Sequence, residues 1–123
     1  MALTTIIKVE GITHSKIYYQ IEGITHSKIY NQWEHWEGHP ENLLKWLISF
    51  NKDFCKKRPD DNEYKLAQLL RSSVRDAEQF SLDNQKYTGW GLVSYNANCG
   101  ESFEYTLKDN GNVTVRRVQN LIS

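Results

Sequence analysis

The sequence predicts an α+β domain: an antiparallel sheet of roughly five to six strands with two helices on one face. Three observations lead there. Alternating or β-branched segments occupy both ends of the chain, and two stretches with apolar residues at helical spacing fill the middle. Asp109-Asn110-Gly111-Asn112 separates the last two strand-like segments, and Asn-Gly is the dipeptide that tolerates both positive φ angles of a type I′ hairpin turn.

In chain order, Leu3-Thr4-Thr5-Ile6-Ile7-Lys8-Val9 is rich in β-branched residues and reads as a strand. A Gly-containing turn, EGITH, leads into residues 15–21, which alternate. Ile17, Tyr19 and Ile21 share one face, and Lys16, Tyr18 and Gln20 share the other. Residues 11–22 are then repeated at 23–34, with Tyr19/Asn31 and Ile21/Trp33 as the differences. The twelve-residue period is even, so each residue type keeps its face. A duplicated turn and strand turns a hairpin into a three-stranded meander. It should send the first strand to a sheet edge or leave one copy looped out. Either outcome leaves register ambiguous and favours self-association, as a homo-oligomer (dimer or larger), through the N-terminal strands. Copies this alike have not specialised, so one should be dispensable.

Pro40 and Glu41 suit a helix N-terminus, one by its fixed φ and the other by its charge against the dipole. Leu43, Leu44, Leu47, Ile48, Phe50 and Phe54 form the apolar stripe of this first helix. KKRPDD breaks it, with Lys56, Lys57 and Arg58 at its C-terminal end. A second helix follows, with Asp60 and Glu63 spaced as a capping box and Leu66, Leu69, Leu70, Ser73, Val74, Ala77 and Phe80 facing the core. After the polar run SLDNQKYTG, residues 90–95, 103–108 and 113–118 read as strands, the last two forming the Asn-Gly hairpin. No linker divides the chain, which makes residues 1–123 a single domain.

Composition narrows the function. Lys plus Arg (15) equals Asp plus Glu (15), so no whole-protein field draws the chain to DNA, RNA or an acidic membrane as its main partner. No stretch approaches the roughly 18 apolar residues of a membrane span, and the N-terminus lacks an export signal, so a cytoplasmic protein is expected. In that compartment Cys55 and Cys99 are expected as reduced thiols. Aromatic residues make up 12%, more ring surface than a domain this small usually hides, which hints at an interface or ligand site.

The densest polar and aromatic cluster runs from Trp33 to Glu41, between the N-terminal strands and the first helix. His35 and His39 with Glu37 or Glu41 carry metal-binding side chains. However, their spacing aligns ligands only on a helix, which Gly38 and Pro40 interrupt. A packed strand-to-helix turn sealed by Trp36 is the better reading. His14 and His26 sit at equivalent repeat positions beside turns and read as solvated. Arg71 and Arg75 stand one turn apart, as a solvated face or as an anion clamp. Asn98 lies in a loop whose amides suit a small polar ligand.

HWEGHPE, residues 35–41, resembles the H-W-D-G-Y-P-E run that follows a short strand in small uncharacterised proteins of bacteria and their phages. Glu37 stands for the Asp and His39 for the second aromatic residue. The resemblance implies a phage or mobile-element setting and carries no catalytic residues with it.

Together these features predict a non-enzymatic binding protein of phage type, acting in counter-defence by sequestering a small nucleotide-derived signal in the host cytoplasm. The ligand-binding candidates are Trp33, Trp36, Arg71, Arg75, Tyr95 and Asn98, with no catalytic residue, metal or cofactor. Stacking rings and arginine or amide groups are what a base and its phosphates require. The alternatives are an inhibitor that masks a host defence protein, and a small metal-dependent hydrolase or nuclease using His35, His39 and Glu37.

Overall fold

The computed structural model describes residues 3–21, 40–80 and 89–118. Five strands form one sheet: β1 (Leu3–Val9), β2 (Ser15–Ile21), β3 (Trp90–Ser94), β4 (Phe103–Leu107) and β5 (Val113–Arg117). Two helices, α1 (Pro40–Lys57) and α2 (Asn62–Phe80), lie between β2 and β3 in the chain. The α+β class and the two-helix layer follow the sequence pattern.

The sheet order is β3-β2-β1-β4-β5. β1 pairs antiparallel with β2, β2 with β3, and β4 with β5, whereas β1 and β4 run parallel, with Ile7 beside Tyr105. The sheet is therefore mixed, where alternation alone suggested a fully antiparallel one. The crossover from β1 to β4 passes through both helices, long enough for parallel return. β1 is central rather than at an edge. β2, the first repeat copy, has β1 on one side and β3 on the other, so neither of its edges is open. Of the two outcomes expected from the repeat, a first strand displaced to a sheet edge is not observed. The second copy, residues 23–34, lies outside the described residues, as do Trp33, Trp36, His35, Glu37 and His39.

Odd-numbered residues of β1, β2, β4 and β5 and even-numbered residues of β3 face the helices. Ile7 and Val9, Ile17 and Tyr19, and Phe103, Tyr105 and Leu107 pack against Leu43 and Leu47 of α1 and Leu66 and Leu69 of α2. Each is a large side chain removed from water, and truncating one such as Leu47 to alanine costs about 2–5 kcal/mol. A ring column continues along α1: Trp46 stacks on Phe50 at 5.9 Å, Phe50 on Phe54 at 6.0 Å, and Phe54 meets Tyr64 of α2 at 5.9 Å. Much of the aromatic surplus is spent here.

Two local details depart from the sequence reading. The first hydrogen bond of α2 runs from the Lys65 N–H to the Asp61 carbonyl (3.0 Å), while Asp60 adopts a left-handed backbone (φ 64°). Asp61, not Asp60, is thus the residue at the cap, and Asp60 and Glu63 do not form a capping box. In the β4–β5 hairpin, only Gly111 has a positive φ (92°). The Gly111 N–H donates to the Lys108 carbonyl (3.2 Å), and the Lys108 N–H donates to the Asn112 carbonyl (2.8 Å). That is a type I turn followed by a glycine bulge, a three-residue loop in place of the two-residue type I′ turn.

Candidate functional site

Among the described residues no helix covers the second face of the sheet, the one bearing the even-numbered residues of β1, β2, β4 and β5 and the odd-numbered residues of β3. β1, β2, β4 and β5 bring polar groups to it, and β3 brings Gly91 and Val93. Lys8 of β1 donates to Glu104 Oε1 of β4 at 2.9 Å, and Arg116 of β5 donates to Glu104 Oε2 at 2.7 Å. The Lys8 ammonium also stands 4.7 Å from the ring centroid of Tyr95, just past β3, a cation–π distance. Lys16 of β2 is buried at 4% exposure, and its Nζ donates to the Ala97 carbonyl at 2.7 Å, tying the 95–100 loop to the sheet. Gln20 donates to Thr4 Oγ1 at 3.1 Å, and Tyr18 lays its ring across Gly91, where a Cβ would meet the ring at 2.5 Å. A glycine in β3 thus makes room for an aromatic side chain on this face.

The electrostatics follow from these contacts. Burial pushes the Glu104 carboxyl up, but hydrogen bonds and charge from Lys8 and Arg116 outweigh it and hold the group below the usual carboxylate range. Burial pulls Lys8 down, yet Glu104 and then Tyr95 reverse that and leave it above its ordinary value. Lys8, Lys16 and Arg116 outnumber Glu104, so this face carries a cationic surplus in a chain of net charge +0. At its rim, Glu10 accepts from the Asp109 N–H at 2.9 Å and pairs with Lys108 at 3.5 Å, so those two charges cancel.

Of the residues singled out from the sequence, Tyr95 joins this group directly. Asn98 lies in the adjoining loop, its Oδ1 accepting from the Gly100 N–H at 3.2 Å. Arg71 and Arg75 are exposed on α2, in the helix layer, and do not share a face with Tyr95. Arg116 pairs with Glu104 and Arg117 with Phe103, so these neighbours in β5 lie on opposite faces of the sheet. His14 lies beside Ser15 (3.0 Å) and Glu63 (3.8 Å) at the exposed β1–β2 turn. Among the described residues, no three His, Cys, Asp or Glu side chains gather as a metal-holding group. Nor is any described helix long and apolar enough to cross a membrane.

Sequence reasoning did not single out Lys8, Lys16 as a site residue, or Glu104. Their alternation placed them on an outer face, but which outer-face residues meet depends on β1 lying beside β4, a pairing that no local pattern announces. Comparison of the chain with known protein families, with curated proteins and with solved structures finds no match.

Proposed function

We propose that the protein is a non-enzymatic binding protein that holds a small, anionic, ring-bearing ligand of nucleotide type on the helix-free face of its sheet. The observation that supports this most is the cationic surplus around Tyr95: among the described residues, Lys8, Lys16 and Arg116 against Glu104, in a chain of net charge +0. A ring offers a stacking surface for a base, and nearby ammonium and guanidinium groups offer donors for phosphate. Among the described residues the site brings together no nucleophile paired with a base, which suits capture without turnover. With the phage-type HWEGHPE segment, this reading extends to sequestration of a nucleotide-derived signal during counter-defence.

Thermal melts against a panel of linear and cyclic nucleotides and ADP-ribose derivatives test this. A true ligand at a hundredfold excess over its dissociation constant stabilises the fold by about 2.7 kcal/mol. Tyr95→Ala and Arg116→Ala should each shrink that shift, and the ligand should be recovered intact after denaturation. If no nucleotide shifts the melt, the small-ligand reading fails in favour of a protein partner; if one is consumed, the protein is an enzyme.

A further inference from the structure

Lys65 is a lysine in the wrong place for a solvated charge. It sits on the buried side of α2 at 1% exposure, and its Nζ donates to Cys55 Sγ of α1 at 3.2 Å. The ring of Phe54 is 5.7 Å away, and among the described residues no carboxylate reaches this ammonium. Buried lysines are nearly always paired, and among the described residues Cys55 Sγ is the hydrogen-bond acceptor that this nitrogen reaches. Cys55 itself is only partly buried, and its thiol can donate to Asn51 Oδ1 at 3.4 Å or to the Lys108 carbonyl at 3.7 Å. A nucleophilic atom on a partly exposed residue thus has a nitrogen held beside it that reaches no other acceptor among the described residues.

We propose that Cys55 and Lys65 form a peroxide-responsive modification site that closes a covalent sulfur–nitrogen link between α1 and α2. The sulfur reacts as its thiolate, the nucleophilic form, and attacks one oxygen of hydrogen peroxide. A sulfur–oxygen bond forms, the peroxide bond breaks, sulfur loses two electrons and the peroxide gains them. The departing hydroxide takes a proton from the ammonium and leaves as water, which converts Lys65 to a neutral amine at the sulfenic acid it has just helped to form. The amine lone pair then attacks sulfur, the sulfur–nitrogen bond forms, and the sulfenic oxygen leaves with the amine proton as a second water. That step needs no further oxidant. A small thiol reverses the link by attacking sulfur and releasing the amine, as in other exchange at sulfur. The link removes a buried charge and staples the corner between the helices, which restricts the unfolded chain.

The experiment uses the full chain carrying Cys99→Ser, so that no internal disulfide can form, treated with hydrogen peroxide and read by intact mass and peptide mapping. The expected product has lost about 2 Da, joins the peptides of Cys55 and Lys65, unfolds at higher temperature, and reverts with dithiothreitol. Lys65→Met, which keeps an apolar stem in the same space, should instead stop at a gain of about 16 or 32 Da on Cys55. The same gain in the protein that retains Lys65, with no joined peptide, overturns the proposal, as does a Cys55 that peroxide leaves unmodified.

Discussion

Glu104 binds two cations with its two oxygens, and its side chain is only 12% exposed beside a Lys8 at 20%. Glu104→Gln keeps the shape and removes the charge that both partners need. It should cost about 1–2 kcal/mol at neutral pH, the scale of hydrogen bonds to charged groups in partly wet surroundings. Because the carboxyl's folded value lies below its ordinary 4.5, its stabilisation is present above that value and is lost as pH falls through the lowered one. Urea melts should therefore show wild type and Glu104→Gln converging as pH falls from the ordinary 4.5 through the lowered value. Lys8 has the opposite sign: raised above 10.5, its contribution holds below that value and disappears only as pH rises past the raised one. A variant as acid-sensitive as wild type would show that the pair contributes nothing.

At the scale of elements, a single buried amide fastens the β4–β5 hairpin to α1. Asn51, at 0% exposure, donates through Nδ2 to the Lys108 carbonyl at 2.9 Å and to the Asn112 carbonyl at 2.8 Å. Asn51→Asp turns that donor into an oxygen facing two carbonyls. A loss of about 3–5 kcal/mol, measured by chemical denaturation, is expected, with hydrogen exchange fastest to rise in the hairpin. The repeat offers a second check. Deleting 11–22 or 23–34 yields two chains that differ only where Tyr19 meets Asn31 and Ile21 meets Trp33. Tyr19 is buried at 5% and packs 4.7 Å from Trp90, so the chain that keeps the first copy should be the more stable by about 2–4 kcal/mol. Both should still fold; equal melts would contradict the assignment of β2's core contacts. Element positions were legible because alternation, helical stripes and Pro or Gly punctuation are local signals. Asn51 and Lys65 were missed, although each stands in a column of every fourth residue, Leu47-Asn51-Cys55 and Lys65-Leu69-Ser73, that marks the buried side.

The whole molecule sets a helix layer against a sheet whose other face carries polar groups from four of its five strands. Strand partners are chosen by packing across the full chain, so the parallel pairing of β1 with β4 left no trace in either segment. The meeting of Lys8 with Glu104 went unread for the same reason. Tyr95 was legible as a candidate because an aromatic residue leads straight into an amide-rich loop. Arg71 and Arg75 were legible only as a pair on one helix, and the fold sets them in the opposite layer. These two locations give the functional reading its sharpest test. Backbone amide shifts should be followed by NMR while the nucleotide that most raises the melting temperature is titrated into the protein. The account predicts saturable changes centred on Lys8, Tyr95, Glu104 and Arg116, and little change along α2; changes confined to the turns around Arg71 and Arg75, or none, would contradict it.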